Sequence, residues 1–161
     1  MQKQARGFTL IEVLITMIIV SILAAIATPA YNNLIVSTRL SGELNALIGA
    51  LNIARSEAQK RGTSVSVCPG TLITCTTNWT NGWLVLLESS PKQQLLVRPV
   101  LSNGDTITST VGTYPQFDAA GYTFFTGQLT VNDRDNTEAR KRCIIFSAGT
   151  WVTKKGAQCN I

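Results

Sequence analysis

The sequence predicts an α+β protein, in which one long N-terminal helix is followed by an antiparallel β-rich head. Three observations carry the prediction. Residues 8–27 form an apolar run whose only polar side chains are Thr9, Glu12, Thr16 and Ser21. Leu40, Leu44, Leu47, Leu51, Ala54 and Ala58 then recur at three- and four-residue steps, the spacing of one helix face. Beyond Gly62 the period drops to two, beginning with Thr63-Ser64-Val65-Ser66-Val67.

The first of these stretches is about as long as a helix needs to span a bilayer. Pro29 follows it, and a proline inside a helix removes a hydrogen bond, so a kink or local melting is expected there. Asn32, Asn33 and Gly42 weaken the turns that follow. Ile48 joins the apolar stripe, while Arg39, Glu43, Asn45, Asn52, Arg55, Glu57 and Lys60 fall largely on other faces. Lys60 and Arg61 suit the negative end of a helix, and Gly62 is a natural cap. The whole reads as one helix over about 8–61, roughly 80 Å long. A small head cannot pack such a rod along its full length. Its first half therefore needs another environment, lipid first and then other subunits.

Strands are expected near 63–67, 83–87, 95–100, 107–111, 122–125, 129–131, 143–147 and 151–153, forming an antiparallel sheet against the second half of the helix. Pro69-Gly70 and the Thr/Asn-rich stretch to Gly82 read as a loop, and Asn103-Gly104 as a turn. Gly127-Gln128 reads as a hairpin turn between two strands. Trp79, Trp83 and Trp151 are expected to pack in the core or to anchor a subunit interface.

The net charge of +5 falls to +3 if Lys3 and Arg6 leave with a leader, too little to argue for nucleic acid by itself. Those two cations precede the apolar run and no acid accompanies them. The positive-inside bias then keeps the leader cytoplasmic and sends the rest outward. All four cysteines lie in the exported part, where disulfides persist. Four cysteines allow three connectivities, of which the local pairs Cys68–Cys75 and Cys143–Cys159 are the simplest. Zinc is disfavoured, because neither spacing is a short C-x-x-C and the chain has no histidine.

The N-terminus carries a sharper signal. A short basic leader ends at Gly7, and Phe8-Thr9-Leu10-Ile11-Glu12 follows. A lone carboxylate in a membrane-length segment is costly and by default marks function. An ordinary signal peptide, cut near Ala25-Ile26-Ala27, fits less well. Glu12 interrupts its core, and the helical pattern continues past the cut. The segment resembles the processing site of type IV pilins and type II secretion pseudopilins. That resemblance implies cleavage after Gly7 and N-methylation at Phe8 by a prepilin peptidase. It also implies that Glu12 pairs with the α-amino group of a neighbouring subunit, an attraction strengthened in a filament core. The implied organisation is a cleaved leader over 1–7, a transmembrane and filament-core helix over 8–35, and a periplasmic pilin head over 36–161.

Two further stretches are similar to the GspH/FimT/FimU group. They are Glu43-Leu44-Asn45-Ala46-Leu47 with Ala54-Arg55-Ser56-Glu57-Ala58-Gln59-Lys60-Arg61-Gly62, and Asn81-Gly82-Trp83-Leu84-Val85. The cysteine-rich head and the closing Cys159 look most like FimU. The resemblance implies the type IV pilin fold and a minor pilin that primes assembly at or near the filament tip. Its partners would be other minor pilins, the major pilin, the inner-membrane assembly platform and, before assembly, the membrane. Alternatives are a DNA-binding minor pilin of the FimT type or a minor pseudopilin of type II secretion. The FimT type carries a Gly-Arg-x-Arg stretch, where this chain reads Gly149-Thr150-Trp151-Val152, without either arginine.

Arg134, Arg140, Lys141 and Arg142, with Lys154 and Lys155, are the candidates for DNA contact. Asp133, Asp135 and Glu138 interleave with the first four, so a solvated mixed-charge loop is the favoured reading. Asp133-Arg134-Asp135-Asn136-Thr137-Glu138 lacks the glycine and distal glutamate of a calcium loop, and no metal is expected. Asn78-Trp79-Thr80 matches a glycosylation sequon and is read as an ordinary loop. Without histidine, a nucleophile motif or a phosphate loop, neither enzyme activity nor a cofactor is expected.

Overall fold

The structure, a computed structural model, describes residues 7–160. The leader expected over 1–7 lies outside them except for Gly7. The chain divides into two compact units at Val36/Ser37.

Helix α1 spans Leu10–Arg61. Thr9 caps it, its Oγ1 accepting the Glu12 N–H at 3.3 Å, so one first-turn donor is satisfied. The local melting expected at Pro29 does not occur. The backbone remains helical through it, because one missing donor is absorbed in a long run of helical bonds. Thr16, Ser21 and Thr28 donate their hydroxyls to carbonyls of the preceding turn, at 2.8 Å each. In the unit up to Val36, every described side chain from Phe8 to Ile35 is exposed. By length and composition this helix can cross a membrane.

The second unit begins at Ser37. Here Leu40, Leu44, Leu47, Leu51, Ala54 and Ala58 are all buried, together with Ala50. The stripe read from the sequence is therefore the helix's core face. Gly62, at φ 59°, takes the left-handed conformation that ends the helix.

Nine strands follow among the described residues: β1 Val65–Thr71, β2 Thr74–Cys75, β3 Trp83–Leu87, β4 Gln93–Arg98, β5 Thr106–Ser109, β6 Gln116–Phe117, β7 Gly127–Asn132, β8 Arg142–Ser147 and β9 Thr150–Lys155. They form two antiparallel sheets. The first has the order β2-β1-β3-β4, with β6 also paired to β1, and the second β5-β7-β8-β9. β1 and β3 run opposite one another from Val65↔Leu87 to Pro69↔Trp83, and every residue of β3 is buried. A strand covered on both faces reads as a continuous apolar run, as Trp83-Leu84-Val85-Leu86-Leu87 does. Ser66 of β1, buried in this layer, donates its hydroxyl to Glu88 at 2.8 Å.

Several local expectations are corrected. Gly127-Gln128 is no turn; it opens β7 opposite Phe146 and Ile145. The hairpin turn lies instead at Ala148-Gly149 (φ 50° and 80°), between β8 and β9. Two successive left-handed residues match the twist of such strands. Residues 122–125 form no strand, only one bridge between Thr123 and Phe117. Asp118 Oδ1 accepts the N–H groups of Ala120 and Tyr122, folding this segment into a turn. Pro69-Gly70 lies within β1, and β1 and β2 make a hairpin inside the expected loop. Asn103-Gly104 is a turn as expected, at φ 60° and 77°.

Candidate functional site

Gly7 and Phe8 precede α1, and Glu12 sits in its first turn, exposed like its neighbours. Among the described residues the Glu12 carboxylate pairs with no cation of its own chain. It is the sole charged side chain described between Phe8 and Ile35, on a helix segment that is otherwise mostly aliphatic.

In the head, charged residues of the helix take a role the sequence did not reveal. Arg39, Glu43 and Arg55 lie largely off the apolar stripe, yet each reaches the strands and loops that wrap this end of α1. Arg39 makes two hydrogen bonds to Asp105, at 2.7 and 2.8 Å. The Asp105 side chain is fully buried, and its carboxylate pushes the Arg39 guanidinium above its ordinary pKa. Glu43 accepts both contacts from Arg98 of β4, at 3.0 and 3.1 Å. Arg55 donates to the carbonyls of Gly121 and Gly149, at 2.9 Å each, and lies over the rings of Trp151 and Phe117.

The basic candidates are not gathered on one free face. Arg140 is committed to Asp133 at 2.9 Å and to the Thr137 hydroxyl. Lys141 pairs with Glu138 at 2.7 Å, which holds that carboxyl below the usual glutamate range. Arg142 donates to Ser37 and Ser41 on α1 and to the carbonyls of Arg140 and Lys141. Arg134, Lys154 and Lys155 remain exposed, with Lys155 opposite Arg142 in the β8–β9 ladder. Asp133 also accepts the Thr137 N–H at 2.7 Å, so the calcium-like segment is closed by its own groups.

Two disulfides, Cys68–Cys75 and Cys143–Cys159, brace the head, and no described cysteine is free. The first ties β1 to β2. The second fastens the C-terminal segment to β8, where Gln128 also donates to the Cys159 carbonyl at 2.6 Å. Trp79 and Trp83 are buried, and Trp151 packs edge-on to Phe117.

A methylation-type N-terminus on a long apolar helix, with a head of two antiparallel sheets, defines the class of minor type IV pilins and pseudopilins. Within it, residues 43–150 match the family described as type II transport protein GspH, and the chain belongs to that family. Residues 2–28 match the prokaryotic N-terminal methylation motif. Two solved structures share the fold. The type IV minor pilin FimU of Pseudomonas aeruginosa aligns with a TM-score of 0.57 and 20% identity, covering 74% of this chain and 91% of FimU. The minor pseudopilin EpsH from the type 2 secretion system of Vibrio cholerae aligns with a TM-score of 0.58 and 12% identity, covering 73% of this chain and 97% of EpsH. The type IV major alpha-pilin of Moraxella bovis is 49% identical over 57 residues, 34% of this chain. The match spans 36% of that pilin's length.

Proposed function

We propose that this chain is a minor type IV pilin that primes pilus assembly and sits at or near the filament tip. The observation that carries the reading is Glu12, an acid with no ion pair among the described residues, five residues after Gly7 on an exposed apolar helix. A prepilin peptidase cuts after Gly7 and methylates Phe8. The chain waits in the inner membrane with its head in the periplasm, beside the assembly platform. On extraction, Glu12 meets the new α-amino group of a neighbouring subunit. In a dry filament core an unpaired carboxylate is strongly penalised, so this pairing sets the register of otherwise featureless helices. The head contacts other minor pilins and the major pilin below.

The test is a count of surface pili after deletion of the gene, in cells that cannot retract them. Near-complete loss, restored by the wild type and not by Glu12→Ala, supports the reading. Normal pilus numbers overturn it. A second reading, a minor pseudopilin, is favoured by the GspH family match and the likeness to EpsH. Loss of protein secretion with normal pili would select it.

A further inference from the structure

Three cations share one hollow in the head. It is an open space of about 320 Å³, lined by Leu44 of α1 with Arg142, Thr153, Lys154, Lys155 and Gln158. Lys155 stands opposite Arg142 in the β8–β9 ladder, and Lys154 precedes it. No described acid lines the space. Like charges facing each other across paired strands are destabilising, so this group gains from an anion placed among them.

The three also stand apart from other basic side chains of the head. Arg39, Arg98, Arg140 and Lys141 each face a carboxylate. Among the described residues, Arg142, Lys154 and Lys155 face none. Arg142 is held by neutral acceptors, the Ser37 and Ser41 hydroxyls and the carbonyls of Arg140 and Lys141. Its position is fixed, and its charge is not neutralised.

The place of this site in the chain identifies the anion. Arg142 donates to the Ser37 hydroxyl at 2.7 Å, and Ser37 lies ten residues beyond Ala27, where the apolar run ends. The helix is unbroken over that stretch. Ser37 is thus tethered within about 15 Å of the end of a segment long enough to span a bilayer. Tyr31, exposed between the two, is a residue type enriched at the level of lipid headgroups. Basic side chains near an anionic bilayer surface each add about a fivefold factor in attraction. A nucleic-acid duplex would call for a longer cationic track. Arg140 and Lys141, which could extend it, are already held by Asp133 and Glu138.

We infer that Arg142, Lys154 and Lys155 form a site for the phosphate of an anionic phospholipid headgroup. The inference rests on the reading of the chain as a pilin subunit that waits in the membrane, and it names what holds the head during that wait.

The experiment uses the full-length chain in vesicles of phosphatidylcholine, with or without phosphatidylglycerol. A photo-crosslinking amino acid replaces Gln158, and adducts are identified by mass spectrometry. Phosphatidylglycerol adducts should dominate in the mixed vesicles. The same group at position 92 should give few, because the adjoining Gln93 bonds to Arg61 at the other end of the head's helix. Lys154→Gln/Lys155→Gln alters only exposed side chains. It should leave the thermal midpoint unchanged while the phosphatidylglycerol adduct falls by about tenfold or more. Absence of a lipid adduct, equal adducts to both lipids, adducts to a second copy alone, or an unchanged adduct in the double variant would overturn the inference. So would abolition of the adduct by millimolar inorganic phosphate, the mark of a general anion site, or by a short DNA duplex, the mark of a nucleic-acid site. A phosphatidylglycerol adduct together with normal pili after gene deletion would keep the site and sink the priming reading. Loss of pili without any lipid adduct would do the reverse.

Discussion

The Arg55 guanidinium lies 4.7 Å from the centre of the Trp151 ring while donating a hydrogen bond to the carbonyl of Gly149, two residues before that tryptophan. One side chain of α1 therefore holds both the face of β9 and the turn that leads into it. Its other hydrogen bond, to the Gly121 carbonyl, fixes the turn that replaces the expected strand near residue 122. Replacing Arg55 with alanine should cost about 2–3 kcal/mol in thermal or denaturant unfolding. Arg55→Lys should recover little of this. An ammonium cannot stack and donate along two fixed directions at once. Full stability of Arg55→Lys would show that charge alone suffices.

Removal of either partner from the Arg39–Asp105 pair should be unequal in effect. Asp105 is completely buried, whereas the Arg39 side chain is 23% exposed. Arg39→Ala strands a buried carboxylate and should cost about 3 kcal/mol. Asp105→Asn leaves a cation that can turn toward water and should cost about 1–2 kcal/mol. Equilibrium unfolding of the two variants, side by side, measures the asymmetry.

The Cys143–Cys159 bridge closes a loop of sequence separation 16. Cross-linking a loop of that size is worth about 3 kcal/mol through the entropy of the unfolded chain. The paired replacement Cys143→Ser/Cys159→Ser should lower stability by about that amount. It should also raise hydrogen exchange in β9 and the C-terminal segment while leaving β1 and β3 protected. Uniform loss of protection would instead mean that the bridge stabilises the head as a single unit.

Acid should weaken two surface pairs. A hydrogen bond from Arg61, then one from Lys60, hold the Glu57 carboxyl below the usual range, and Lys141 does the same for Glu138. Both folded pKa values are depressed, so both contributions are complete above the unfolded glutamate value. They fade as pH falls through the lower, folded values. Carbon-detected NMR titration should therefore give midpoints below that of free glutamate for both. The shifts should shrink at high salt, since each pair has a member open to solvent.

What the sequence made legible was periodic or local. The spacing from Leu40 to Ala58 identifies a buried face because a helix has one fixed pitch. The two disulfides join nearest cysteines, and β3 announces itself as an unbroken apolar run. The failures have physical reasons too. Gly127 looked like a turn residue, yet it opens β7 opposite Phe146 at φ 149°, where a side chain would crowd Val111. Residues 122–125 have strand-like composition, but the Asp118 side chain claims the local N–H groups first. Arg39 and Glu43 seemed to belong to a solvated face. Their partners Asp105 and Arg98 lie 66 and 55 residues away, beyond any local pattern.

The placement of the two bridges bears on how the chain is made. Cys68–Cys75 and Cys143–Cys159 follow one another along the chain, neither nested nor interlaced. If the part after the apolar span is exported in chain order, the first thiol pair can meet an oxidant before the second has emerged. Cys75 then meets only Cys68 and Cys159 only Cys143, so the order of emergence by itself favours the observed pairing.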